Sequence, residues 1–94
     1  MDQQELGYVY KTMELGFRDM EQAARVHKAL SSPIRLQMLR LLSKGSYCVN
    51  EYAEALNIPV STAALHVRIL EEAGLIVTEQ RPGARGLAKV CSRL

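Results

Sequence analysis

The chain of 94 residues has no tryptophan, one phenylalanine and two cysteines. So small a supply of large aromatics implies a core built mainly from aliphatic side chains. The two thiols, Cys48 and Cys91, are too few for a disulfide framework and fit a reducing compartment. No run of about 18 apolar residues occurs, so the sequence offers no membrane-spanning helix. The opening Met1-Asp2-Gln3-Gln4-Glu5 is acidic and polar, unlike a secretory or transit signal. These absences point to a cytoplasmic protein. Also missing are a carboxylate pair spaced for acid–base work, a glycine-rich phosphate loop and a Ser or Cys nucleophile motif. Glu71 and Glu72 are neighbours on a helical stretch, where adjacent residues do not face each other, and read as solvated charges. Nothing argues for an enzyme, and no cofactor is implied.

What is present suits one small domain with a single modest core. Hydrophobic residues make up 48% of the chain, which is enough to set disorder aside. The net charge of +2 says little, but its distribution is uneven. Residues 1–22 carry Asp2, Glu5, Glu14, Asp19 and Glu21 against Lys11 and Arg18. From Arg81 to Arg93 there are only cations: Arg81, Arg85, Lys89 and Arg93. A local cationic surface matters more for nucleic-acid binding than a high global charge.

Residues 3–30 read as helical. Leu6, Tyr10, Met13, Phe17, Met20, Ala24 and His27 form a stripe with a mean spacing of about 3.5 residues. Gly7 and Gly16 interrupt it, so one long helix or two pieces broken near Gly16 is expected. Such a stripe either packs on its own domain or is buried against a second chain. The small core available favours the second, making Leu6, Tyr10, Met13, Phe17 and Met20 candidate dimerisation residues. The expected division is therefore an N-terminal helical extension, residues 1–22, followed by a second unit, residues 23–94.

Ser32-Pro33 is a helix start signal, with serine at the N-cap and proline in the first turn. The helix near 33–43 is expected to bury Ile34, Met38, Leu39, Leu41, Leu42 and part of Leu36, to keep Arg35 and Arg40 outside, and to end with Gly45 as its cap. A short helix near 49–56 follows, with Tyr52, Ala53 and Leu56 inward. Asn57 stands where a tight turn needs a left-handed residue. The next helix, near 60–73, turns Ala63, Val67 and Leu70 inward and ends at Gly74. Leu75–Gln80 is a β-branched run that reads as a strand, 81–86 a turn-rich tip, and 87–93 a return strand. The imperfect alternation of Leu87, Lys89, Cys91 and Arg93 predicts a twisted or bulged hairpin. The fold class is therefore mainly α with a small β-hairpin wing: a winged helix-turn-helix with an added N-terminal helix.

A helix-turn-helix presents its second helix as a rod that fits a major groove. On that helix Ser61, Thr62, His66 and Arg68 can reach base edges by hydrogen bonding, and Ala64 and Leu65 can touch thymine methyls. Arg68 is the best single candidate for a guanine or a phosphate. An outer face this apolar predicts modest direct readout, with DNA shape and paired half-sites supplying the rest. Arg81, Arg85 and Lys89 of the wing suit backbone or minor-groove contact, which would make affinity salt-dependent. The helix opening at Ser32-Pro33 can also hold a phosphate. His66 has a plainer alternative, packing half-buried on the preceding helix.

Ala29-Leu30-Ser31-Ser32-Pro33-Ile34-Arg35-Leu36 resembles the A-L-x-x-P-x-R-L opening of ArsR-type winged-helix regulators. Leu70-Glu71-Glu72-Ala73-Gly74-Leu75-Ile76 is similar to their L-x-x-A-G-L-V step from recognition helix to wing. The resemblance covers residues 23–93 and implies a homodimer, usually a repressor, bound to a partly palindromic double-stranded DNA operator. Where many members carry C-V-C-D-L, this chain has Cys48-Val49-Asn50-Glu51-Tyr52, with one thiol of the two. The family's usual C-terminal dimerisation helix has no counterpart before Leu94. Residues 82–93 are similar to a subgroup in which the winged helix precedes a further domain, so the chain reads either as a small regulator or as the DNA-binding part of a longer one.

A soft metal ion needs two to four converging ligands. Cys48, Cys91, His27 and His66 show no such spacing, and no metal site is expected. The rival functional class is a winged helix that binds protein rather than DNA, kept open by the apolar Ala64-Leu65 face. An acid-free cationic wing favours DNA.

Overall fold

Ser32 takes an extended backbone and its hydroxyl accepts the Arg35 N–H, while Pro33 occupies the first helical position. The helix they start is the second of four between residues 20 and 72 in a computed structural model that describes residues 3–7, 20–83 and 86–94, Leu87 by its backbone alone. After a helical stretch at 3–7, the elements are α1 (Met20–Leu30), α2 (Pro33–Leu42), β1 (Tyr47–Cys48), α3 (Val49–Leu56), α4 (Val60–Glu72), β2 (Ile76–Gly83) and β3 (Gly86–Arg93). The fold is mainly helical with one antiparallel three-stranded sheet in the order β1-β3-β2. This is the winged helix-turn-helix expected from the sequence. Among the described residues no helix is long and apolar enough to cross a membrane.

Both helices of the helix-turn-helix end in left-handed residues. Asn57 has φ 54° and ψ 50°, and the Ile58 N–H reaches back to the Ala53 carbonyl at 3.0 Å. Gly74 has φ +73° after α4. The Gly74 N–H donates to Glu71 O at 2.9 Å and the Leu75 N–H to Leu70 O at 3.1 Å, the paired bonds of a Schellman motif. Leu75 and Leu70 are both buried there, so the cap also turns the chain into β2. Gly45 was expected to cap α2, but Ser43 is the C-cap. Its N–H and hydroxyl both serve the Arg40 carbonyl, and the Gly45 N–H follows two residues later on the Leu42 carbonyl at 3.4 Å.

The core lies where the four helices α1 to α4 and the sheet meet. Ala29, Met38, Leu42, Tyr52, Ala63, Val67, Leu70 and Cys91 are wholly or almost wholly buried in it. Tyr52 stacks on Tyr47 with ring centroids 5.1 Å apart, and its hydroxyl donates to the Met38 carbonyl at 3.2 Å. Burial raises the Tyr52 phenol far above its ordinary range, so it stays a neutral donor. Burial likewise pushes the Cys91 thiol up to about 11, making it a small buried apolar group.

Three sequence expectations are corrected. Arg35 does not lie outside α2: it is buried, on one stripe with Met38, Leu39 and Leu42, while Ile34, Leu36 and Leu41 are half-buried. Of the two forms expected for the hairpin, twisted or bulged, the bulged one is excluded, because Ile76↔Arg93 through Gly83↔Gly86 pair in one unbroken register. The uneven alternation in β3 comes instead from Lys89, which is half-buried against α4 (below). Glu71 is not a solvated charge but a bonded one, whereas Glu72 is exposed. A further strand, β1, went unrecognised because its two residues carry no alternation to read.

Candidate nucleic-acid interface

The outer face of α4 is left over when its inner face has packed. Ala63, Val67 and Leu70 have no exposed surface. Ser61, Ala64, Leu65 and Arg68, at the i, i+3, i+4, i+7 positions, share the exposed side. Thr62 and His66 are half-buried on its margin. Leu65 stays 45% exposed and Val60, at the helix start, 51%, so the face is apolar at its beginning and cationic at Arg68. Arg68 makes no hydrogen bond or ion pair among the described residues, which leaves all its donors available.

His66 is tied inward. Its Nδ1 lies 2.9 Å from Arg35 Nη1. The same guanidinium donates through Nε to Ala29 O at 2.9 Å and through Nη2 to Lys28 O at 3.0 Å, satisfying carbonyls at the end of α1. Burial, then the Arg35 charge, pulls the His66 pKa below its ordinary value. At the other end of α4, Gln22 of α1 donates through Nε2 to the Ala73 carbonyl at 2.8 Å. The candidate recognition helix is therefore held at its middle and at its end by groups from α1 and α2.

The wing cations are less free than the sequence suggested. Lys89 Nζ is 3.3 Å from Glu71 Oε1, and the Thr78 hydroxyl donates to the other carboxylate oxygen. The Thr78 hydrogen bond, helped by Lys89, holds the Glu71 carboxyl below its ordinary value against the opposing effect of burial. This cluster joins the end of α4 to both wing strands. Arg81 pairs with Glu79 on its own strand. Arg85 lies outside the described residues, and Arg93 is exposed with no partner among them.

Of the residues expected at a dimer interface, Leu6 is 36% and Met20 52% exposed, and Tyr10, Met13 and Phe17 lie outside the described residues. Ala24 and His27, which continue the stripe, are exposed; α1 packs on its own domain through Val26 and Ala29 instead. Glu5 is buried near α2, its Oε1 3.8 Å from Arg40.

Cys48 and Cys91 sit on neighbouring strands, but Cys91 pairs with Tyr47 and Cys48 with Val90. Successive side chains alternate across a sheet, so the two thiols face opposite sides. Among the described residues no three His, Cys, Asp or Glu side chains are grouped to hold a metal ion. Sequence reasoning missed Arg35, Gln22 and Glu71. Only Arg35 had a legible signal, its place in the 35/38/39/42 heptad spacing.

The same arrangement recurs in known proteins. Residues 32–78 match the model of the bacterial regulatory protein family arsR. The chain is 31% identical over 71 residues to the HTH-type transcriptional repressor SmtB of Mycobacterium tuberculosis, an alignment covering 76% of this chain and 52% of that one. It is 40% identical over 57 residues to an HTH-type transcriptional regulator of Methanocaldococcus jannaschii, covering 60% and 64%. The chain thus spans about half the length of the SmtB relative. Its fold superposes, with a TM-score of 0.69 and 30% identity, on the homodimeric winged helix-turn-helix DNA-binding domain of a possible ArsR-family regulator from Mycobacterium bovis, covering 84% of this chain and 72% of that one. A matched family model over half the chain, the capped helix-turn-helix and the three-stranded wing agree, and the chain belongs to the arsR family of bacterial DNA-binding transcriptional regulators.

Proposed function

We propose that this chain is a homodimeric repressor whose α4 enters the major groove of a partly palindromic operator. The observation that carries the reading is the division of α4 into a fully buried face and an exposed one bearing Ser61, Ala64, Leu65 and the unpartnered Arg68. Thr62 and His66 flank the contact, and Arg68 reaches a guanine edge or a phosphate. Arg81, Arg85 and Lys89 then serve the flanking backbone or minor groove. Of these, Lys89 acts mainly to set the wing against α4, because it is bonded to Glu71. Repression is proposed from the SmtB relative, and dimerisation from the homodimeric M. bovis domain together with the exposed Leu6, Met20 and Ala24. Residues 1–22 are assigned to the dimer contact and residues 23–94 to the DNA-binding unit, and the site of action is the cytoplasm.

Selection from random duplexes, followed by binding of the winner across a salt series, tests this. A palindromic winner with half-sites about one helical turn apart, bound less tightly as salt rises, is the expected result. No enrichment, with weak and salt-insensitive binding, would overturn it. That outcome would favour a protein partner on the apolar Val60–Leu65 end of the face.

A further inference from the structure

The chemistry of the Arg35–His66 contact runs in one direction. A guanidinium carries five N–H donors, has no acceptor and keeps its proton at any accessible pH. Arg35 must therefore donate and His66 Nδ1 must accept across their 2.9 Å contact. A neutral imidazole that accepts at Nδ1 bears its proton on Nε2. The guanidinium is itself fixed, because its other two bonds go to the Lys28 and Ala29 carbonyls and the side chain is buried. The ring it holds is half-buried, on the margin of the exposed α4 face.

We propose that Arg35 is a positioning residue that locks His66 in its Nε2–H form, so that His66 offers the operator a donor only and selects a base edge that accepts. In the major groove guanine presents O6 and N7, adenine N7 and thymine O4 as acceptors, whereas cytosine presents only its amino donor. The base facing His66 is then a purine or thymine, and cytosine is rejected because two donors would meet. Had Nδ1 been free to carry the proton, the ring would have offered Nε2 as an acceptor, which the amino groups of cytosine and adenine meet, and cytosine would no longer be rejected. The inference rests on the reading of α4 as the groove helix, but its first half concerns the free protein alone.

Two measurements separate the halves. Imidazole nitrogen resonances of the free protein, recorded in mildly alkaline buffer, should show His66 protonated on Nε2 in the parent and a tautomer mixture in Arg35→Lys. Duplex selection should show on the order of tenfold preference against cytosine at one position of each half-site, lost in His66→Leu while the other positions keep theirs. Arg35→Lys also disturbs the α1 carbonyl contacts, so His66→Leu, which leaves them intact, keeps the test decisive if that variant misfolds. A parent ring protonated on Nδ1 would sink the lock whatever the DNA result. The expected tautomer with an equal loss of affinity on every sequence would place His66 on a phosphate and overturn base selection. The expected tautomer with no enriched site at all would overturn the groove reading itself.

Discussion

Replacing Gln22 by alanine should loosen the end of the candidate recognition helix without touching its surface. The Gln22 amide is the partner of the Ala73 carbonyl at 2.8 Å, and Ala73 is 2% exposed. A typical intramolecular hydrogen bond contributes about 1 kcal/mol net, and a buried carbonyl left unpaired costs about 1–3 kcal/mol. Gln22 is only half-buried, so water reaches part of the vacated space and the lower half of that range applies. A loss of about 1–2 kcal/mol in a domain of this size lowers the melting temperature by about 4–15 °C. The assay is thermal unfolding by circular dichroism at one fixed protein concentration, since a dimer's melting temperature depends on concentration. Gln22→Leu is the control: it keeps a side-chain stem over Gly74 and removes only the donor. Equal losses in both variants locate the effect in the hydrogen bond. If both melt within a degree or so of the parent, Gln22 does not hold Ala73 in solution, and the clamp between α1 and α4 is refuted at that end.

Stability should fall as pH drops below His66's ordinary value of 6.5. The folded-state value is lowered, so the unfolded chain takes up the proton first; the contribution is complete above that ordinary value and is lost on the way down to the folded one. Urea titrations across that window should show this slope reduced in His66→Leu, and an unchanged slope would exclude the Arg35–His66 contact as its source. Gly74→Ala should cost about 1–2 kcal/mol, because φ is +73° while the added methyl would meet only Gln22 Nε2 at an ordinary 3.6 Å. A neutral result by denaturant unfolding would mean the cap relaxes out of its left-handed form. Arg68→Ala should weaken operator binding by about 1–3 kcal/mol and leave the melting temperature unchanged, since Arg68 contacts no acceptor among the described residues. Parental affinity by fluorescence anisotropy would remove Arg68 from the interface.

The helix-turn-helix was readable because its signals are local. Ser32-Pro33, Asn57 and Gly74 each solve a backbone problem at one position, and the 63/67/70 stripe needs only the helical period. Arg35 was misread because a charged residue in an apolar stripe is normally an error of phase. Its burial depends on two carbonyls of α1 and a ring of α4, none of which its own helix reveals. The wing shows the same limit. Its cations are plain in the sequence, but that Lys89 is joined to Glu71, and Glu71 to Thr78, depends on how β2 and β3 fold back on α4. On α1 the 3.5-residue stripe does not mark the packed face: Val26 and Ala29, not Ala24 and His27, pack the helix on its own domain.

The two residues of β1 fix more than their length suggests. Tyr47 and Cys48 are laced to Cys91 and Val90 of the wing, and the next residue, Val49, already begins α3. The wing is thus hinged by main-chain bonds to the first helix of the helix-turn-helix, while Lys89 and Thr78 strap it to the second. With α4 in the groove as proposed, such a body would work as a gauge of fixed span between that helix and the hairpin. On that proposal a duplex of the wrong groove width would have to bend to fit, and sequences that bend easily would hold an advantage at positions no side chain touches.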